Sequence, residues 1–410
     1  MRLLYNLILQ LYRFGIFCAS FKNEKAQKWI EGRKNWEKNL LDKIGNFHGS
    51  PVVWMHCASL GEFEQGRPLL EQMRRDFPDK KYLLSFFSPS GFENCKDYSG
   101  ADWVVYLPLD GYRNSKIFLD LVNPELVLFI KYEFWYYFLK TLYRRKIPAF
   151  LISATFRHDQ IFFKWYGKFF RKILSYFRII TVQDEISKSL LNKFGIAAEL
   201  TGDTRYDRVI QIANKTEPIP QVEQFRKNAN LVIAGSTWPK DEDALAAALE
   251  YFPPNWKLVV APHEIDRQHL QQIKNRFAAS CVFYSEFEGS LDTQVLVIDN
   301  IGMLASLYRY GEIAFIGGGF NKGGIHNVLE PAIFGLPVIT GPNFLKFFEA
   351  REMQQLGLLF PVNNSQDLIQ TFSRLQTRDH AQELKDRVSA FVRGRSGATQ
   401  KILNLIYDLS

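Results

Sequence analysis

Short apolar runs alternating with segments of helical periodicity fill most of the chain. In the first half the runs cover residues 52–57, 82–86, 104–107, 125–130, 149–153 and 179–183. In the second half they cover 231–234, 258–261, 295–298, 313–316 and 337–340, with a shorter one near Leu358. Strand–helix alternation of this kind predicts parallel, doubly wound sheets, and therefore an α/β fold. Pro218, Pro220 and their polar neighbours mark a linker at 213–230 between an N-terminal domain, 1–212, and a C-terminal domain, 231–378. Residues 379–410 read as terminal helices, candidates for packing back on the N-terminal domain.

Composition sharpens this picture. A chain of 410 residues exceeds one ordinary core, and 47% hydrophobic with 23% charged residues is a globular balance. Four scattered cysteines, Cys18, Cys57, Cys95 and Cys281, form no C-x-x-C, which argues against a disulfide framework or a zinc site and for a reducing compartment. No metal site is expected. The net charge of +8 is uneven: residues 1–210 hold 32 Lys+Arg against 22 Asp+Glu, or +10, and the remaining 19 against 21 give −2. Basic residues alternate with large aromatics, and no zinc-finger or RNP-type motif occurs, so an anionic membrane surface is expected rather than nucleic acid.

Two segments carry that expectation. Residues 1–21 are apolar and aromatic but interrupted by Arg2, Asn6, Gln10 and Arg13, which suits neither a signal peptide nor a clean span. They read equally well as an interfacial anchor and as a core helix. Residues 162–177, with six aromatics among the first nine and Lys164, Lys168, Arg171 and Lys172 interleaved, predict one aromatic-basic helix with a packed face and a face toward phosphates or headgroups.

Candidate chemistry concentrates at strand ends. The run 313–316 leads into Gly317-Gly318-Gly319, then Gly323-Gly324, then a helix that Asn327 caps and Glu330 joins as a capping box. Glycine N–H groups and a helix N-terminus suit a phosphate; a tight turn with a capping box is the alternative. Neither G-x-G-x-x-G nor a P-loop motif fits. Ser236 and Thr237 precede Pro239 as a second candidate helix cap and anion site. Ser59-Leu60-Gly61-Glu62 follows a strand directly. Glu62 is there a candidate general base, Ser59 a weak candidate nucleophile, and a carboxylate that only complements the helix dipole is the competing reading. Glu133 repeats that placement after the run ending at Ile130.

Taken in order, these segments resemble the 3-deoxy-D-manno-octulosonic acid (Kdo) transferases of lipopolysaccharide assembly. The segments are HCASLGEFEQGRPLLE at 56–71, KYEFW at 131–135, GDTRYD at 202–207, GST at 235–237 and GGGFNKGGIHNVLEPAIFGLPVITGP at 317–342. The resemblance implies a GT-B glycosyltransferase, two Rossmann-like domains with a cleft between them, the first binding acceptor and membrane and the second the nucleotide sugar. It implies inverting, metal-independent transfer of Kdo from the co-substrate CMP-Kdo to a lipid A precursor on the cytoplasmic face of the inner membrane, without a cofactor, by a protein that is peripheral or N-terminally anchored.

By the same resemblance Glu62 is the catalytic base, and Ser59, Gly61, Lys131 and Glu133 bind acceptor. Arg205, Ser236, Thr237, Pro262, His263, Gly318, Gly319, Gly324, His326, Asn327 and Glu330 bind donor. Two departures stand out: Lys131 replaces a carboxylate common in relatives, and Pro262-His263-Glu264 lacks an expected Arg, for which Arg205 or Lys322 would substitute. Another nucleotide-sugar GT-B enzyme, a transferase or epimerase, and a non-catalytic nucleotide- or lipid-binding relative are the alternatives.

Overall fold

The computed structural model describes residues 1–45, 49–289, 293–376 and 381–408. Two compact units divide the chain: Met1–Arg208 with Ser396–Ser410, and Val209–Arg395.

The first unit opens with α1 (Arg2–Ser20), α2 (Glu24–Glu31) and α3 (Trp36–Ile44). Strand and helix then alternate through β1 (Val52–Cys57), α4 (Leu60–Asp76), β2 (Lys81–Phe86), α5 (Pro89–Cys95), β3 (Trp103–Tyr106), α6 (Tyr112–Val122), β4 (Pro124–Ile130) and α7 (Tyr136–Arg144). β5 (Ala149–Ala154), α8 (Lys168–Leu174), β6 (Ile179–Val182), α9 (Glu185–Lys193) and β7 (Glu199–Leu200) follow. The unit boundary falls within α10 (Thr204–Asn214). The sheet order is β3-β2-β1-β4-β5-β6-β7, and every pairing is parallel. Strand order reverses between β1 and β4, the position where such sheets open a crevice at their carboxyl ends.

In the second unit α11 (Pro220–Arg226) precedes β8 (Asn230–Thr237), α12 (Pro239–Leu249), β9 (Trp256–Pro262), α13 (Arg267–Phe277), β10 (Cys281–Phe283), β11 (Val295–Val297) and α14 (Leu304–Leu307). β12 (Ile313–Ile316), α15 (Leu329–Ile333), β13 (Val338–Thr340), α16 (Phe348–Gln355), β14 (Leu359–Pro361), α17 (Ser365–Leu375) and α18 (Ala381–Arg393) complete it. Its order is β10-β11-β9-β8-β12-β13-β14, again parallel, with the reversal between β8 and β12. Two Rossmann-like α/β units result, as the alternation predicts. Because helices cover both faces, the central strands are buried from end to end, β1, β4 and β12 among them.

Several local expectations change. The span 213–230 is not plain linker: it holds the end of α10 and the whole of α11. The expected boundary at 378/379 lies outside the described residues, and the helices beyond it part company, α18 belonging to the second unit and α19 (Ala398–Tyr407) to the first. Residues 162–177 do not form one helix. A 3-10 turn, Ile161–Phe163, and α8 are separated by a turn at Gly167, where a Cβ would sit 2.2 Å from the Ile161 carbonyl oxygen. Phe162, Ile173, Leu174, Tyr176 and Phe177 are buried, and Arg171 donates to the carbonyls of Phe162 (2.7 Å) and Lys164 (3.1 Å), leaving Lys168 and Lys172 exposed. As for α1, none of its residues is buried.

α19 is fastened at its start. Asp207 accepts the N–H groups of Gly397 (2.5 Å) and Thr399 (2.6 Å), and Ile402, Leu403 and Ile406 pack into the core beneath β1 and β4. Asp207→Ala should lower the unfolding free energy by about 1 kcal/mol, the usual worth of an N-cap. Amide exchange should quicken across residues 398–407 while β1 keeps its protection; uniform exchange across the unit would show that the cap does not act locally.

Candidate functional site

At the carboxyl end of β1 the chain passes from Cys57 through extended Ser59 (φ −144°, ψ 178°) into α4. Glu62, half-exposed in the first turn, receives the Ser59 hydroxyl, and Ser59 makes no side-chain cap bond to the backbone. Gly61 is exposed beside them. Burial, with Glu62 and Glu133 nearby, pushes the Cys57 thiol well above its ordinary range, so it stays protonated and inert.

Behind this edge lies a buried polar knot. His56 Nε2 is 2.8 Å from Glu133 Oε2, and its Nδ1 is 2.8 Å from Ser85 Oγ, which also accepts the Trp54 indole N–H at 2.7 Å. The Trp135 indole N–H donates to the same Glu133 oxygen at 2.6 Å. Glu133 therefore neither starts a helix, since α7 begins at Tyr136, nor stands free for substrate; it is buried and committed to two rings. Lys131 (φ +71°) and Ser153 (φ +51°) hold left-handed backbone at the ends of β4 and β5, the strain that functional edges often carry. Arg205 is half-buried against Asp203, which accepts its Nε–H at 2.8 Å and its backbone N–H at 2.9 Å.

The second unit presents a corresponding edge. β8 bulges between Gly235 and Thr237, with Ser236 left-handed (φ +54°) and half-exposed and Thr237 fully buried. Contrary to expectation, Ser236 and Thr237 do not cap α12; they complete the strand, and Trp238 precedes Pro239 at the helix start. Beside them the His263 N–H donates to the Thr237 carbonyl at 2.9 Å, following Pro262 at the end of β9. Trp238 stacks on His263 (centroids 4.6 Å), and His263 lies against His326 (4.5 Å). Burial and the neighbouring His263 push His326 down to about 4.

Much of the glycine run serves packing. A Cβ on Gly317 would meet the Ser236 carbonyl oxygen at 2.2 Å, and Gly318 is left-handed (φ +87°). Gly319 lies against the backbone of Gly341, and Gly324 is again left-handed (φ +87°). The Gly318 N–H, expected to face a ligand, donates to Asp241 Oδ2 at 2.8 Å. No capping box forms at α15, only five residues long: Asn327 accepts from the Leu329 N–H at 3.0 Å and gives its amide N–H to Glu330 Oε1 at 3.1 Å. Lys322 is exposed. Sequence reasoning missed His56, whose partner is distant along the chain, and the adjacent acids Asp241 and Glu242. An Asp-Glu pair in a first helical turn carries no signal beyond dipole complementarity.

A family model for 3-deoxy-D-manno-octulosonic-acid transferase (kdotransferase) matches residues 28–208, spanning the whole first sheet. The 3-deoxy-D-manno-octulosonic acid transferase of Aquifex aeolicus is 27% identical over 361 residues, covering 84% of this chain and 94% of that one. Its namesake from Haemophilus influenzae is 27% identical over 403 residues, covering 90% and 91%. The first half of the chain is thus similar to the Kdo transferase family, and relatives that bear its name align along most of the chain.

That family is one of glycosyltransferases, and the motifs that carry the likeness lie at the carboxyl edges just described. Solved structures agree on the fold. UDP-GlcNAc 2-epimerase from Neisseria meningitidis, bound to UDP-GlcNAc, aligns with a TM-score of 0.61 at 15% identity, over 87% of this chain and 100% of that one. The S. aureus MnaA–UDP structure aligns with a TM-score of 0.57 at 12% identity, over 87% and 96%.

The depressed His326 gives a pH dependence of stability. A base buried in its neutral form contributes stability that is fully present above its ordinary value of 6.5 and is lost as pH falls through about 4. Thermal melts across that window should therefore fall more steeply for the native chain than for His326→Gln. Parallel curves would show that His326 protonates freely.

Proposed function

We propose that this chain transfers Kdo from CMP-Kdo to a lipid A precursor in lipopolysaccharide assembly, inverting the anomeric centre without a metal. The observation that carries the reading is Glu62, a half-exposed carboxylate in the first turn of α4 at the point where the first sheet reverses its strand order. Relatives bearing the transferase name align along nearly the whole chain, which supports the substrate class.

In this mechanism Glu62 takes the proton from the acceptor hydroxyl as that oxygen attacks the anomeric carbon. The Ser59 hydroxyl, bonded to one carboxylate oxygen, orients the group. CMP departs with the electrons of the broken bond, and a phosphate leaving group needs charge stabilisation more than an acid. The carboxyl edge of β8, β9 and β12, with Ser236, His263, His326, Asn327 and Glu330, holds the cytidine nucleotide. His56, Glu133 and Trp135 act through shape: their buried bonds fix the ends of β1 and β4 from which Glu62 and Lys131 project.

The acceptor's phosphates and acyl chains call for work at an anionic membrane surface. α1 supports this, being the one described helix long and apolar enough to cross a membrane by length and composition. It is tied to its unit through Tyr5, Asn6 and Tyr12, with Leu3, Leu7, Leu11 and Phe14 exposed. We place it flat on the cytoplasmic leaflet, anchored through those apolar side chains.

Purified protein given CMP-Kdo and a lipid A precursor should form the Kdo-bearing product; consumption of UDP-sugars in place of CMP-Kdo would defeat the reading. Glu62→Gln should cut turnover by roughly 10²–10⁴-fold with CMP affinity unchanged. Near-normal turnover in that variant would reduce Glu62 to a helix-end carboxylate. Replacing Leu3, Leu7, Leu11 and Phe14 by Gln keeps the Tyr5, Asn6 and Tyr12 contacts, and should free the protein from anionic vesicles without changing CMP affinity. Co-sedimentation equal to that of the native chain would assign membrane contact elsewhere.

A further inference from the structure

The second unit buries two adjacent carboxylates at its nucleotide edge, and neither is explained by binding or by chemistry. Asp241 and Glu242 stand in the first turn of α12, and both are fully buried. Charges so placed are costly unless each oxygen finds donors. Glu242 finds donors at both oxygens, whereas Asp241 is held through Oδ2 alone, its Oδ1 having no hydrogen-bond partner among the described residues.

Asp241 Oδ2 accepts the Trp238 N–H at 2.9 Å and the Gly318 N–H at 2.8 Å, bridging the end of β8 to the glycine turn after β12. Glu242 Oε1 accepts the Thr237 hydroxyl at 3.1 Å. The rest of the Glu242 carboxylate faces His269 Nε2 (3.1 Å) and Arg276 Nη1 (3.6 Å), and His269 is itself held by the Glu264 carbonyl, 2.9 Å from Nδ1. The Ser236 backbone is strained where it is held, and the glycine turn takes a conformation that only glycine adopts freely. Ser236 is left-handed beside Thr237, Gly318 is left-handed at the Asp241 bond, and Gly317 leaves room only for the Ser236 carbonyl. Strained backbone persists only when its surroundings over-determine it.

We infer that Asp241 and Glu242 are positioning residues for the nucleotide side of the reaction: Asp241 sets the Gly317–Gly319 turn, and Glu242 sets the Ser236–Thr237 bulge. The inference rests on the functional reading above, because it takes those loops to bind the donor nucleotide. Thr237 is fully buried, so its hydroxyl serves as the grip by which Glu242 holds Ser236 in place. Burial pushes Asp241 up to about 6, the cost of keeping an acid where it bonds two N–H groups from separate loops.

The test is calorimetric titration of the full chain with CMP, and with UDP as the competing nucleotide, beside thermal melts. Asp241→Ala and Glu242→Ala should weaken CMP binding on the order of ten- to a hundredfold and raise KM for CMP-Kdo more than they lower kcat. Asp241→Asn and Glu242→Gln retain an acceptor oxygen and should recover most of the affinity. Thr237→Val, which matches the native shape, breaks only the Glu242 bond and should reproduce the Glu242→Ala loss in affinity even if the alanine variants do not fold. CMP affinity within twofold of native in Thr237→Val, or alanine variants that melt earlier but bind CMP normally, would overturn the inference. If the native chain binds UDP and not CMP, the functional reading fails, and the same comparison made with UDP decides the positioning role. Binding of neither nucleotide overturns both.

Discussion

A buried charge must find its partners inside the protein, and that constraint shapes the edges of both sheets. Strands covered by helices on both faces have no room for unpaired polar groups along their length. Polar side chains therefore collect at the carboxyl ends, where loops bring donors and acceptors together. In the first unit the Glu133 carboxylate is shared by the His56 and Trp135 rings, with Ser85 closing the far side of the imidazole. In the second, Asp241 and Glu242 draw donors from the ends of β8 and β12 and from α13. Each knot joins elements on the two sides of the strand-order reversal, where open parallel sheets form their crevice.

This division of labour accounts for which carboxylates are free to act. Glu133 looks like a second Glu62 by its place after a strand, yet a carboxylate bonded by two buried rings has little left to offer a substrate. Glu62 sits in the first turn of a helix, half-exposed, with a hydroxyl for a partner. A proton acceptor needs access as well as orientation. The glycine turn obeys the same logic in reverse, since an N–H group already given to Asp241 is a fixed point of the loop.

The α/β architecture was legible in the chain because both of its signals are local: apolar runs for buried strands and periodic segments for helices. Local signals failed where distant contacts decide. Residues 162–177 have the composition of one amphipathic helix, but the Ile161 carbonyl crowds Gly167 and breaks it. The Ser-Thr-Trp-Pro run reads as a capped helix start, while β8 extends through Thr237 and takes both hydroxyl residues into the strand. Strand ends marked Glu62, Ser236, His263 and the glycines as a candidate site. His56 was invisible as a site residue because a buried histidine is defined by its partner, and Glu133 is 77 residues away. The apolar character of residues 1–21 was visible, but not the direction in which the apolar side chains turn.

For α1 the contacts supply that direction. A helix belonging to the core would bury its leucines and leave its polar groups to water. Here Tyr5 reaches buried Asp110 at 2.6 Å, and Asn6 accepts the Tyr137 hydroxyl at 2.8 Å. Asp110 also takes the N–H groups of Tyr137 (3.0 Å) and Phe138 (3.1 Å) in the first turn of α7, and burial pushes it up to about 6. Polar side chains make the attachment, and leucines and phenylalanines are left outward, Leu3 79% and Phe14 65% exposed. A contiguous apolar face of that kind marks a surface meant to be covered. Held by hydrogen bonds on one side and apolar on the other, α1 has the two-sided build on which the proposed membrane contact rests.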